Sequence, residues 1–151
     1  MECLHPYASV YFDGPDAVGK TALRKEFSLA SRQLWATFDR SFISCVVYDR
    51  LFANFQEYRY VHHIDRYMQL VNACSIPSVY INVSAPLGVI AERAKTKCEP
   101  KSEVEDRLGI DFVTKTAMEL ATFDLAYAEA AAQSEAALFY KVINDGSKSL
   151  S

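Results

Sequence analysis

Gly14-Pro15-Asp16-Ala17-Val18-Gly19-Lys20-Thr21 fills every fixed position of the pattern G-x-x-x-x-G-K-[ST]. Before it, Tyr7 to Asp13 (YASVYFD) is rich in β-branched and aromatic residues and stops at Gly14-Pro15, which predicts a short buried strand ended by a turn. After it, Lys20 to Arg32 carries Leu23, Phe27 and Ala30 at helical spacing, which predicts a helix. A glycine-rich turn at that junction lets successive N–H groups point inward, and the helix N-terminus adds a positive dipole. The chemistry suited to it is a nucleoside triphosphate, with Lys20 reaching the β/γ phosphates and Thr21 offering its hydroxyl to Mg²⁺. Gly14, Asp16, Ala17, Val18, Gly19, Lys20 and Thr21 are therefore the expected ATP contacts.

Further along, strands are expected at 34–39, 76–83 and 137–143, the last ending at Asn144-Asp145-Gly146. Between 44 and 74 the stripe Val61, Ile64, Met68, Val71 predicts helix, with a break near 52–56. Pro86 opens a helix to about residue 94, and 96–103 (TKCEPKSE) reads as a polar loop broken by Pro100. From Glu103 to Glu135 a helix or helix pair is expected, with Ile110, Val113, Ala117, Leu120, Phe123, Tyr127 and Ala130 on its buried stripe. Strands alternating with helices call for an α/β fold with a doubly wound, mainly parallel sheet of about four to five strands and helices on both faces. With the loop at 14–21, that is the P-loop NTPase architecture, and 1–151 is expected to be one such domain with a short lid at about 93–103.

Composition narrows the class. Half of the 151 residues are hydrophobic and 13% are aromatic, enough for a core and far from disordered composition. Sixteen Lys and Arg against nineteen Asp and Glu give a net charge of −3, so no general attraction to a nucleic acid polymer or an anionic membrane is expected. Cys3, Cys45, Cys74 and Cys98 form no CxxC pair, which argues against a zinc site or disulfide framework and for a reduced, cytoplasmic setting. No signal-like N-terminus and no run near the roughly 20 apolar residues needed to span a bilayer is present. A GTPase would carry Asn-Lys-x-Asp, which is absent, and motor ATPases need longer chains, so the size suits a small-molecule kinase.

Phe38-Asp39-Arg40-Ser41 closes the second strand, at the carboxyl end where doubly wound sheets bind ligands. An Asp there can hold the Mg²⁺ shell, and an Arg can take phosphate oxygens through two parallel hydrogen bonds. From Asp39 to Asp49 the stretch DRSFISCVVYD resembles the D-R-x-x-x-S-x-x-x-Y-Q signature of the thymidylate kinase family, and residues 14–21 resemble that family's P-loop. Residues 76–97 are similar to its fourth strand, helix and lid, and 124–127 and 142–147 to its last helix and the loop near the adenine.

The resemblance implies an ATP-dependent and Mg²⁺-dependent (deoxy)nucleoside monophosphate kinase. In it, Lys20, Arg40, Arg93 and Asp39 would be catalytic, with Arg93 swinging in on the lid beside Lys95 or Lys97. Thr21 and Asp39 would serve the metal, and Asp16, Arg40, Phe42, Ser44, Tyr48 and Asp49 the acceptor. Three departures bear on the acceptor. Only 17 residues (22–38) separate Thr21 from Asp39, where the family has a further strand and helix; Asp49 stands where the family has Gln; and Asp-Arg-Ser also resembles the Glu-Arg-Ser of deoxynucleoside kinases. A nucleoside acceptor needs a carboxylate base, whereas a phosphate acceptor is already anionic and needs positioning cations, so the shortened chain favours a monophosphate.

The alternatives are a deoxynucleoside or other small-molecule P-loop kinase, and a nucleotide-binding accessory module without turnover. Adjacent His62 and His63 point about 100° apart on a helix and suggest no metal site. Phe42, Phe52, Phe55, Tyr58 and Tyr60 suit core packing, base stacking or a homodimer interface, and Arg50, Arg59 and Arg66 are further cations for an acceptor phosphate or for surface pairs.

Overall fold

The computed structural model describes residues 8–32, 35–52, 64–74, 77–97 and 102–146. Four strands, β1 (Ser9–Asp13), β2 (Ala36–Asp39), β3 (Ser78–Ser84) and β4 (Leu138–Ile143), form an all-parallel sheet in the order β2-β1-β3-β4. Helices α1 (Lys20–Ala30), α2 (Phe42–Phe52), α3 (Ile64–Ala73), α4 (Leu87–Lys97), α5 (Glu103–Leu108) and α6 (Phe112–Gln133) lie between the strands in sequence. Parallel strands need crossovers, and crossover helices cover both faces, so the inner strands read as nearly continuous apolar runs.

Each face has its own core. On one, Ile43, Val46 and Val47 of α2 and Ile64 and Met68 of α3 meet Tyr80 together with Phe123, Ala126, Tyr127 and Ala130 of α6. On the other, Leu23 of α1 and Ile90 of α4 meet Val10, Phe12, Val79, Ile81 and Val83. Burying Phe12 or Phe123 contributes about 2 kcal/mol each. Across the first face the register aligns Phe38, Tyr11, Tyr80 and Phe139, one from each strand. Their rings stack in sequence at centroid separations of 5.1, 5.0 and 5.0 Å. Two residues further toward the carboxyl ends, Asp13, Asn82 and Lys141 occupy adjacent strands in the same register. The sheet thus turns from aromatic to polar over one pleat repeat, just before the loop at 14–21.

Several expected boundaries shift for local reasons. The strands begin at Ala36 and Ser78, and 33–34 and 75–76 lie outside the described residues. Helix α1 stops at Ala30 with Ser31 as its C-cap, and Ala30 is exposed rather than on the core stripe. Helix α4 continues through Arg93, Lys95 and Lys97, so the expected lid begins as helix; residues 98–101 lie outside the described set. The region 103–135 is a helix pair. Ser102 caps α5 in a reciprocal capping box with Glu105, Gly109 ends it in the left-handed conformation, and Asp111 caps α6 by accepting from the Thr114 N–H at 2.7 Å. In α6 the fully buried line is Thr116, Glu119, Phe123, Ala126, Tyr127 and Ala130, and the expected Ile110, Val113, Ala117 and Leu120 are only half-buried. Phe52 is the last described residue of α2, and the rest of the expected break at 52–56 lies outside the described residues, as do Phe55, Tyr58, Arg59, Tyr60, Val61, His62 and His63. Among the described residues no helix is long and apolar enough to cross a membrane, and no group of three or more His, Cys, Asp or Glu side chains is placed to hold a metal ion.

Candidate functional site

The site is built where β1 and β2 end. Gly14 has φ +141°, and a Cβ there would collide with the Val83 carbonyl oxygen, so only glycine lets β1 turn over the end of β3. Gly19 has φ +86° and a Cβ would strike the Asn144 amide, while α1 begins at the next residue, Lys20. Two side chains from distant elements hold the loop: Arg93 Nη1 donates to the Ala17 carbonyl and Asn144 Nδ2 donates to the Val18 carbonyl, each at 3.0 Å. The first turn of α1 borders the cleft through Lys20, Thr21 and Ala22, where a helix start presents N–H groups that lack intrahelical partners.

Ala17 sits at φ +65°. A Cβ in the left-handed region costs on the order of 1 kcal/mol, partly offset because glycine loses more freedom on folding. Ala17→Gly is expected to raise stability by about 0.5 kcal/mol, read from the urea midpoint at unchanged m-value.

A cleft of about 350 Å³ opens along Asp16, Gly19, Lys20, Thr21, Arg93 and Thr96. Lys20 is 8% exposed, and its ammonium donates to the Pro15 carbonyl at 3.3 Å. Burial, followed by the Arg40 guanidinium, lowers its pKa below the ordinary lysine value, despite Asp16 at 3.9 Å. A buried ammonium beside a second cation is a group whose charge an arriving anion would stabilise. Thr21 Oγ1 donates to Asp39 Oδ2 at 2.9 Å, so the end of β2 is joined to the first turn of α1. Thr21 and Asp39 supply hard oxygen atoms, and a glycine cradle lies beside them. This donor set fits Mg²⁺ held mainly by phosphate and water oxygens.

Arg40 follows with φ +77°, a strained conformation for a non-glycine residue, and its N–H donates to the Phe12 carbonyl at 2.9 Å. Its Nη2 donates to Asp16 Oδ1 at 3.2 Å, and its guanidinium carbon lies 5.0 Å from the centre of the Tyr48 ring. Asp16, Lys20, Arg40 and Tyr48 thus form one cluster, with Thr21 and Asp39 beside it.

Other expected site residues are placed elsewhere. Ser44 is buried, its hydroxyl donates to Asp13 Oδ1 at 2.5 Å, and it does not line the cleft. Asp49 is fully buried within α2 rather than presented to a base edge. Phe42 stacks on Tyr67 at 5.0 Å and meets Tyr80 edge-on at 5.6 Å, where it walls a separate cleft of about 290 Å³. Arg93 is already seated at the loop, so its arrival needs no travel by a lid, and Lys95 pairs with Glu92 at 3.0 Å on an exposed turn. Arg50 forms a two-bond pair with Glu129, away from the cluster.

Three residues that hold the site escaped the sequence argument. Fully buried Asp13 accepts from the Ser41 N–H at 2.7 Å, the Ser41 hydroxyl at 2.6 Å, the Ser44 hydroxyl and the Tyr127 hydroxyl at 2.6 Å. Burial and then the Asp13 carboxylate push the Tyr127 phenol well above its ordinary pKa, which keeps it a donor. Asn144 clamps the loop, and Glu119 lies under Tyr48, whose hydroxyl donates to Glu119 Oε2 at 3.3 Å. A signal existed for Asp13 and Glu119, since each is an acid on an otherwise apolar, inward-facing line. Comparison of the chain with protein-family models, with curated proteins and with solved structures gave no match.

Proposed function

We propose that this chain is an ATP-dependent (deoxy)nucleoside monophosphate kinase with a P-loop NTPase fold, similar to the thymidylate kinase family. The observation that carries the proposal is the hydrogen bond from Thr21 to Asp39, with Arg40 beside Lys20 across Asp16. It joins two sequence patterns 18 residues apart into one arrangement that suits a phosphate donor, a cation and a phosphate acceptor. Residues 14–21 would hold the triphosphate, Thr21 and Asp39 would hold Mg²⁺, and Arg40 would grip the acceptor phosphate. When bound, Mg²⁺ neutralises charge on the β and γ oxygens. An acceptor phosphate oxygen bonds to the γ-phosphorus while the bond from that phosphorus to its bridging oxygen breaks, leaving ADP and a nucleoside diphosphate. Lys20 and Arg93 would stabilise charge on the transferred group.

The accessory-module reading keeps one specific support: Ser44 and Asp49 are turned inward, and β2, four residues long, is the edge strand where the family has another. Incubation with Mg·ATP and a panel of nucleosides and nucleoside monophosphates, followed by ADP release, decides among these. Turnover with monophosphates is expected. Turnover with nucleosides alone would make the chain a nucleoside kinase, and tight ATP binding without an acceptor would make it a binding module. Arg40→Ala is expected to raise the acceptor KM about 100-fold while leaving ATP affinity within about twofold.

A further inference from the structure

Glu119 is 1% exposed, and Lys115 one turn earlier on α6 is 12% exposed, with Nζ 2.8 Å from Glu119 Oε1. The Lys115 ammonium also lies about 6 Å from the rings of both Phe52 and Phe112, at 5.9 and 6.0 Å. Taking such a pair out of water costs several kcal/mol per ion before their attraction is counted, and two apolar residues would fill the space at no such cost. Packing alone therefore does not account for it. The second oxygen of Glu119 accepts from the Tyr48 hydroxyl, and the Tyr48 ring lies under the Arg40 guanidinium. An unbroken line of contacts runs from Lys115 through Glu119 and Tyr48 to Arg40.

Arg40 has a second neighbour, Asp16, whose side chain is 59% exposed. An arriving phosphate competes with that carboxylate for the guanidinium, so the Asp16 contact is the one given up when an acceptor binds. Tyr48 remains in contact, with Asp39 attracting the guanidinium from further along. The tilt of the Tyr48 ring is set by the hydroxyl bond to Glu119, and a phenol donating to a carboxylate carries more negative charge on its ring, which strengthens its hold on a cation. We propose that Lys115, Glu119 and Tyr48 form a buried positioning relay that keeps Arg40 aimed at the acceptor phosphate once Asp16 has released it. Glu119 and Tyr48 are positioning residues in this scheme and touch no reacting atom. The proposal rests on the assignment of Arg40 to the acceptor phosphate.

The test compares full-length wild type with Tyr48→Phe, Glu119→Gln and the double variant, the substitutions being close in shape to the originals. With saturating Mg·ATP and the fastest-turning monophosphate of the panel, each single variant is expected to raise the acceptor KM about tenfold, with kcat and the KM for ATP within about twofold. Because the residues act in series, the double variant is expected to be no worse than the singles. In parallel, the ¹⁵N spectrum of arginine-labelled protein, with no ligand added, is expected to show an Arg40 Nε–H resonance that is sharp in wild type and broadened in all three variants. Equal loss toward ATP and acceptor, losses that add in the double variant, or an unchanged acceptor KM overturns the relay. If wild type turns over no acceptor, the kinase proposal fails by itself and the resonance decides the relay: broadening in the variants upholds it as the restraint on Arg40, and an unchanged line overturns it.

Discussion

Lys20→Ala is expected to lower phosphoryl transfer at least about a thousandfold, to the background of an ADP-release assay, while the protein stays folded. Loss of one preorganised donor in a dry site commonly costs two to three powers of ten, and a full charge aimed at a transferred phosphoryl group costs more. In the proposed kinase Lys20 is such a charge. It is almost wholly buried, it lines the cleft, and burial together with Arg40 has lowered its pKa, so its ammonium is a poor guest until an anion joins it. The same fact separates function from stability. A group whose folded pKa is lowered is held less well in its charged form, so its removal relieves the fold at neutral pH rather than weakening it. The urea midpoint of the variant is therefore expected to match or exceed that of wild type. Transfer that survives the substitution would remove residues 14–21 from the chemistry, and an unfolded variant would show Lys20 to be structural. Lys20→Arg is not expected to rescue activity, because a planar guanidinium cannot replace a compact ammonium tucked under the Pro15 carbonyl.

Asp13→Ala is expected to give the largest loss of stability, about 4 kcal/mol by urea denaturation at constant m-value. Four donors converge on that carboxylate in a site without solvent access, and each buried donor left unpaired costs about 1–3 kcal/mol. The three hydroxyls can turn toward other acceptors, but the Ser41 N–H is fixed by the start of α2 and cannot. Asp13→Asn keeps one carbonyl oxygen and is expected to recover roughly half of the loss. A loss below about 1 kcal/mol in Asp13→Ala would mean that water enters and replaces the carboxylate.

The loop at 14–21 and the Asp39-Arg40 pair were legible because their geometry is encoded locally, by glycines at fixed spacing and by the last residues of a strand. The parallel sheet was legible in the same way, from strand and helix patterns alternating along the chain. What remained hidden depends on partners far apart. Tyr48 meets Glu119 across 71 positions, and Asn144 reaches Val18 across 126. No periodicity carries that information. The buried stripe of α6 was misplaced in its first turns for a related reason: Glu119, a residue type rarely buried, takes an inward position, and the apolar Ile110 and Val113 are left half-covered. The resemblance over 39–49 implies acceptor roles for Ser44 and Asp49, but a signature matched along the chain does not say which of its side chains the helix after β2 shows to the cleft, and both are buried. Ser44 instead completes the shell around Asp13.

The Asp13 cluster also has a schedule. Asp13 ends the first strand and Ser41 and Ser44 follow soon after, but the Tyr127 hydroxyl that closes the set comes 114 residues later. At a synthesis rate of about 5–20 residues per second, the emerging chain carries an incompletely closed carboxylate for roughly 10 s. Strand β1 also waits for β3, its partner on the other side, which is encoded some seventy residues further on. The loop at 14–21, written near the start of the chain, is therefore locked late: every residue lining its cleft precedes α6, yet Tyr127 and Asn144, which hold Asp13 and the Val18 carbonyl, come only afterwards.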